Sequence, residues 1–307
     1  MIINNTDNNT DNTFSGFIAI VGRPNVGKST LLNLFLGSHL SITSPKPQTT
    51  RQQIQGIITQ DKTQLIFVDT PGLHRDSKKK LNQYMNQAAS KALIDVDVVL
   101  FLVEVLKFTD EDEAVLKKLK SVDAPVFLVI NKVDMVKDKE KILPYILKMQ
   151  ALFNFTEIMP ISAEKGLQCE ALKNQIIKHI PPGPFYYPKE AKTNRSPGFH
   201  VSEMIREQVM LQLGDELPYA TTVSVDTWED KEKIINIGAT IWVERDSQKA
   251  IAIGEGGERI KRIGTIARRS IEAFVEKPIF LQLWVKTKEN WSDDNKSLEH
   301  LGYYHFD

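Results

Sequence analysis

Residues 17–29 read Phe-Ile-Ala-Ile-Val-Gly-Arg-Pro-Asn-Val-Gly-Lys-Ser, and Thr30, Leu31, Leu32, Leu34 and Phe35 follow. An apolar run, a glycine-bounded turn and an apolar helix in that order make the stretch a strand, a loop and a helix start. Gly22, Arg23, Pro24, Asn25, Val26, Gly27, Lys28 and Ser29 complete a G-x-x-x-x-G-K-S loop. Its glycines let the chain turn so that successive amides point inward, and the helix N-terminus adds positive potential. Lys28 is placed to reach β and γ phosphates and Ser29 to ligate Mg²⁺. Other short apolar runs lie at 65–68, 97–103, 125–130 and 157–161, separated by longer amphipathic stretches. Such runs suit strands buried on both faces and joined by crossover helices, hence an α/β fold with a mostly parallel sheet.

The alternation ends at Pro181-Pro182-Gly183-Pro184, with Pro188 and Pro197-Gly198 beyond. Proline fixes φ and offers no amide donor, so a boundary falls here. The 307 residues fit about two domains of roughly 150. The reading divides them into a polar, disordered tail (1–14), an α/β domain (15–183), a Pro-rich linker (184–199) and a smaller α+β domain (200–307). In the last, a helix is expected at 202–213 with Gly214 as its stop. Ile235, Ile237, Ala239, Ile241 and Val243 alternate as in a half-buried strand, as do Ile279, Leu281, Leu283 and Val285. Ile260, Ile263, Ala267, Ile271 and Phe274 form a helix stripe between them. All four Trp lie in this second domain.

Composition narrows the class. The 39 Lys plus Arg balance 39 Asp plus Glu, so attraction to nucleic acid must come from a local patch. The single Cys169 excludes a disulfide framework and a Cys-rich zinc module, and reads as a small buried filler. No run of 18 apolar residues occurs, and the tail lacks the pattern of a signal peptide. A soluble, cytoplasmic protein is expected.

Three further segments choose the nucleotide. Asp69, Thr70, Pro71 and Gly72 end a strand where the carboxylate acts on Mg²⁺ and the Gly72 amide meets a γ phosphate. Asn131, Lys132, Val133 and Asp134 end another, and Asp134 can accept from guanine N1 and N2. Adenine has no matching donors there. Ser162 and Ala163 follow the last strand, where backbone amides can meet guanine O6. Together these resemble a translation-factor-type GTPase domain. Between them, Pro47-Gln48-Thr49-Thr50-Arg51 resembles a first switch segment. Thr50 is the expected Mg²⁺ ligand, with Thr49 its neighbouring candidate. The expected catalytic set is Lys28, Thr50 and Gly72, and the expected metal set is Ser29, Thr50 and Asp69. Leu73 stands where Ras-type proteins place the glutamine that orients water. Leucine cannot hydrogen-bond that water, so intrinsic turnover of about 10⁻⁴ to 10⁻³ s⁻¹ is expected. Asn25 is the side chain that related GTPases use to help hold a monovalent cation, which makes K⁺ a candidate. His74 is not read as a base, because phosphoryl transfer relies on positioning and electrostatics. Lys78, Lys79 and Lys80 read as a solvated run.

Gly254, Glu255, Gly256 and Gly257 form a G-x-x-G loop that opens the helix stripe, as a KH domain does to clamp about four nucleotides. Arg259, Lys261, Arg262, Arg268 and Arg269 follow with no acidic residue among them, so the helix buries isoleucine and shows cations. Glu255 weakens phosphate attraction in the loop itself. Residues 184–307 carry 17 basic and 20 acidic side chains, net −3, so base stacking should matter as much as charge and the salt dependence should be shallow.

With these motifs, the linker 182–188, Ile205-Arg206-Glu207, the run 213–219, Asn290 to Asp294 and Leu301-Gly302-Tyr303, residues 15–304 resemble the Era family of bacterial ribosome-biogenesis GTPases. The resemblance implies a type II KH fold and a GTP/GDP switch that binds small-subunit ribosomal RNA near its 3′ end. It further implies action on the small ribosomal subunit late in assembly, a monomer, and loose association with the inner membrane face. A rival reading is an RNA-binding module with vestigial hydrolysis, which Leu73 favours. An ATP-dependent kinase is disfavoured by Asn131 to Asp134.

Overall fold

The central strand of the first domain, β1 (Phe14–Val21), lies between β3 (Thr63–Asp69) and β4 (Val98–Glu104), both parallel to it. The computed structural model describes residues 13–43, 46, 49–71, 79–213 and 220–303. β5 (Val126–Asn131) and β6 (Glu157–Pro160) extend the sheet in parallel, and β2 (Ile54–Gln60) closes the other edge antiparallel to β3, giving the order β2-β3-β1-β4-β5-β6. The apolar runs are continuous because both faces are covered. Ile18, Ile20, Leu100 and Leu102 pack beneath α1 (Lys28–Leu36) and α5 (Cys169–Ile177), while Ala19, Val21, Phe101 and Val103 face α3 (Asp110–Leu119) and α4 (Ile142–Gln150). α2 (Lys80–Lys91) precedes β4.

β2 has no counterpart among the apolar runs of the sequence. It is an edge strand, so only part of it is buried, and it returns through Asp61, whose φ is +51°. Its open side does not remain bare. Ile57 donates its amide to the Lys192 carbonyl at 2.9 Å, Gly56 bridges Thr193, and Tyr187 and Gln64 exchange two hydrogen bonds. The Pro-rich stretch is thus a strap along the sheet edge, which protects it from pairing with another chain.

The second domain runs α6 (Pro197–Gln212), β7 (Thr221–Asp230), β8 (Ile235–Val243), α7 (Asp246–Ile253), α8 (Glu258–Val275) and β9 (Ile279–Thr287), and α9 (Asn295–His300) follows. β8 is central, antiparallel to β7 and parallel to β9. This α-β-β-α-α-β order is the type II KH arrangement. α6 starts five residues before the expected 202. Ser196 caps it by accepting from the Phe199 amide and Pro197 takes the first turn, where a missing N–H costs nothing. The alternating residues of β8 and β9 and the stripe Ile263, Ala267 and Ile271 meet in one core. Gly214, expected as the helix stop, lies outside the described residues, as do residues 1–12.

A further apolar cluster joins the domains. Leu81, Tyr84 and Met85 of α2 pack against Trp291, Leu298 and Tyr303. Trp291 is fully buried, and its indole donates to the Ala220 carbonyl at 3.1 Å.

Candidate functional site

The strand-to-helix turn after β1 surrounds a cavity of about 620 Å³ lined by Arg23, Pro24, Asn25, Gly27, Lys28, Ser29, Thr30, Thr50, Glu104 and Lys132 among others. Gly27 has φ +101°, and a Cβ there would stand 2.2 Å from Asn131 Nδ2, so only glycine fits. Asn25 is also left-handed, at φ +64°. Lys28 Nζ donates to the Gly22 and Arg23 carbonyls at 3.0 Å each. Burial pulls its pKa down to about 8, against the attraction of Asp69. Arg23 lines the cavity, but its charge is already engaged. It is anchored by Glu104 at 2.7 Å and Asp112 at 3.1 Å. These two carboxylates, distant in sequence, hold its guanidinium.

Three hard oxygens converge beside the cradle. Ser29 Oγ lies 3.0 Å from Thr50 Oγ1 and 3.0 Å from Asp69 Oδ2, and Thr50 Oγ1 lies 3.3 Å from Asp69 Oδ2. Asp69 is fully buried; desolvation raises its pKa, and its Oδ1 has no hydrogen-bond partner among the described residues. One carboxylate with a free oxygen and two hydroxyls fit Mg²⁺, which takes few protein ligands and shares the rest with phosphates and water. Of the two threonines, Thr50 is the one turned inward; Thr49 Oγ1 donates to the Lys46 carbonyl. Ser41 carries no motif in the sequence, yet its hydroxyl donates to Asp69 Oδ2 at 2.8 Å. Thr70 is buried and donates to the Ile20 carbonyl, with Pro71 next to it. Gly72, Leu73, His74, Lys78, Pro47 and Gln48 lie outside the described residues.

On the base side, Asn131 ties two loops together. Its Nδ2 donates to the Val26 carbonyl at 2.8 Å and its Oδ1 accepts the Ala163 amide at 2.9 Å. Lys132, at φ +68°, turns the chain into a short 3₁₀ turn held by the Val133 amide on the Ile161 carbonyl. Asp134 Oδ1 is buried without a partner among the described residues. The Ser162 and Ala163 amides, read from the sequence as able to meet guanine O6, are both engaged within the protein. Ser162 donates to the Leu167 carbonyl and Ala163 to Asn131, so in this arrangement both amides hold the loop. Cys169 is buried, its thiol pushed up to about 11, as a filler should be.

In the second domain, Gly254, Gly256 and Gly257 all have positive φ, and Glu255 is exposed between them. A groove of about 430 Å³ runs between α8 and β9, lined by Ile260, Lys261, Gly264, Thr265 and Arg268 on one wall and Ile279, Phe280, Leu281 and Leu283 on the other. The structure sorts the five cations. Lys261 and Arg268 line the groove, while Arg262 and Arg269 are exposed elsewhere on the helix. Arg259 is turned back to donate to the Ile251 carbonyl and packs against Gly254. The β9 wall is hidden in the sequence, where its residues read as the alternation of a strand over a core. Phe280, next to that alternation but not part of it, is half exposed.

A G-x-x-x-x-G-K-S turn after the central strand, two hydroxyls and a carboxylate converging beside it and the Asn131 to Asp134 turn on one α/β sheet, followed by a type II KH domain, define a P-loop GTPase with an appended RNA-binding module. The 50S ribosome-binding GTPase family matches residues 17–132 and the KH domain family residues 216–292. GTPase Era of Pseudomonas fluorescens is 50% identical over 296 residues, 96% of this chain and 99% of that protein. GTPase Era of Coxiella burnetii is 50% identical over 291 residues, 95% and 98%. A crystal structure of Era with MgGDPNP and nucleotides 1506–1542 of 16S ribosomal RNA superposes with TM-score 0.92 at 34% identity, covering 95% of this chain and all of that one. A single-residue variant of Aquifex aeolicus Era bound to GDP·AlF4⁻ gives the same values. The chain belongs to the Era family of GTPases.

Proposed function

We propose that this protein is a GTP-hydrolysing switch that grips the 3′ region of small-subunit ribosomal RNA during late assembly of that subunit. The observation that carries the reading is the pairing of two sites in one chain: a phosphate-loop cavity beside the Ser29, Thr50 and Asp69 oxygens, and a cationic groove with an exposed phenylalanine beside a G-x-x-G loop. The relative crystallised with 16S RNA supports the choice of RNA, although the family description of the first domain names the larger subunit.

Lys28 holds the β and γ phosphates, Asp134 selects guanine, and Ser29, Thr50 and Asp69 hold Mg²⁺, which when bound neutralises charge on the phosphate oxygens. Lys261, Arg268 and Phe280 meet RNA backbone and bases, with the Gly254 to Gly257 loop admitting the backbone closely. K⁺ held with the help of Asn25 belongs to the same reading, and equal single-turnover hydrolysis in potassium and sodium buffers would remove it. The RNA claim is tested by crosslinking the GTP-loaded protein to cellular RNA and mapping positions. Crosslinks concentrated at the 3′ end of small-subunit RNA support it; crosslinks scattered over unrelated RNAs refute it. Multiple-turnover phosphate release with and without ribosomal subunits separates a working switch from a vestigial one.

A further inference from the structure

Thr50 is bracketed by two residues that contact the other domain, Thr49 through its carbonyl and Arg51 through its side chain. Arg206, on α6, reaches across and donates from Nη2 to the Thr49 carbonyl, while Glu203 accepts from Nε and Nη2 at 2.7 Å each. Arg51 crosses the other way. Its Nη1 donates to the Thr221 carbonyl at 2.6 Å at the start of β7, and its guanidinium stands 5.8 Å above the Trp291 ring. Both arginines are about 1% exposed. A little upstream, the Thr43 amide donates to Glu207 Oε1 at 3.0 Å. The residue between the two arginine contacts, Thr50, turns its hydroxyl onto Ser29 and Asp69.

We infer that Arg206 of the KH domain is a positioning residue for the GTP site: by holding the Thr49 carbonyl it fixes the backbone from which Thr50 presents its hydroxyl to the metal position. The inference rests on the GTPase reading above and deepens it. Residues 49 and 50 have no regular secondary structure of their own, and ordering such backbone is entropically unfavourable. Contacts that order it before nucleotide arrives strengthen binding through preorganisation. The buried guanidinium of Arg206 has the converse need, since moving the Thr49 carbonyl removes one of its acceptors. Thr50 contacts Mg²⁺ and γ phosphate only in the triphosphate state, so the effect must fall on GTP and spare GDP.

The test measures affinities of the full-length protein for GDP and for a non-hydrolysable GTP analogue across a Mg²⁺ titration. Arg206→Lys keeps the charge but cannot serve Glu203 and Thr49 together. Expected is about a tenfold loss for the GTP analogue, one hydrogen bond's worth, with a higher Mg²⁺ requirement and GDP affinity within twofold. In a Thr50→Ala background the same substitution should change nothing further, because it acts through Thr50. A GTP-to-GDP affinity ratio unchanged by Arg206→Lys overturns the inference, and so does an equal loss in the Thr50→Ala background. Should the variant fail to fold, amide hydrogen exchange on the wild type decides. Exchange at 49–51 and at 221 should slow with the GTP analogue and Mg²⁺ relative to GDP, and equal rates overturn the inference. A wild type that binds no guanine nucleotide would instead refute the GTPase reading itself.

Discussion

Replacing Asn131 by alanine tests whether the guanine-side loop and the phosphate loop are one unit. The Asn131 side chain is 2% exposed and makes two hydrogen bonds, to the Val26 carbonyl at 2.8 Å and from the Ala163 amide at 2.9 Å. Alanine strands both backbone groups. Each stranded group costs about 1–3 kcal/mol when it stays dry. The adjoining cavity admits water to part of this region, so a total of about 3 kcal/mol is expected, read as a drop in urea-unfolding free energy of the nucleotide-free protein. Nucleotide binding then has to align the two loops itself, and GDP affinity should fall by about 10- to 100-fold, roughly 1.4–2.8 kcal/mol. Asn131→Asp sharpens the case. It keeps an acceptor for Ala163 but sets a carboxylate oxygen against the Val26 carbonyl oxygen, so it should lose at least as much as alanine despite its nearly identical shape. A stability change below about 0.5 kcal/mol for Asn131→Ala, or an innocuous Asn131→Asp, would refute the idea that this side chain ties the loops.

Asp134→Asn should weaken GDP by at least about 100-fold, since the guanine N1 and N2 donors would lose a charged acceptor; competition with xanthosine diphosphate, expected to bind the variant better than GDP, checks the assignment. Gly254→Ala should lower RNA affinity at least fivefold with GTP binding intact, because Gly254 sits at φ +76° and a Cβ there would meet Arg259 Cβ at 2.8 Å; a filter-binding assay giving wild-type affinity would count against the loop. His200 is buried, its Nδ1 3.3 Å from the Leu40 carbonyl of the other domain and its Nε2 without a partner among the described residues. Burial lowers its pKa, so the stability it contributes is complete above its unfolded pKa of about 6.5 and is lost as pH falls through the lower folded value. The melting temperature of the wild type should therefore drop more between pH 7 and pH 5 than that of His200→Asn, and parallel curves would exclude this histidine.

Much of the site was legible because its chemistry is local. The phosphate loop, Asp69, the Asn131 to Asp134 turn and the G-x-x-G loop are contiguous residues at ends of strands or starts of helices, where backbone geometry dictates the residue types. Other parts depend on packing. β2 is an edge strand with few apolar positions, and Pro197 terminates nothing because it enters a helix at its first turn. Ser41 reaches Asp69 across 28 residues, and Glu104 and Asp112 reach Arg23 across more than 80. No spacing in the chain announces such partners. Ala163 shows the reverse: its position was readable, but the engagement of its amide by Asn131 was not.

The interface between the domains combines two kinds of contact that respond differently to movement. The packing of Tyr84, Leu81 and Met85 of α2 on Trp291, Leu298 and Tyr303 is mainly apolar contact, which depends less on exact geometry than hydrogen bonds do. The contacts of Arg51 and Arg206 are directional, and their acceptors are backbone carbonyls, one of which belongs to the segment that senses nucleotide. A guanidinium that loses a carbonyl inside the interface must find another acceptor or return to water. The apolar cluster can therefore keep the domains together while the arginines choose among their relative positions. If GTP favours the register in which Thr50 faces the metal position, RNA that prefers the same register must bind more tightly with GTP than with GDP, and by the factor with which RNA tightens GTP. Equal RNA affinity in the two nucleotide states would mean that the arginine contacts hold in both, and that the interface is a fixed joint.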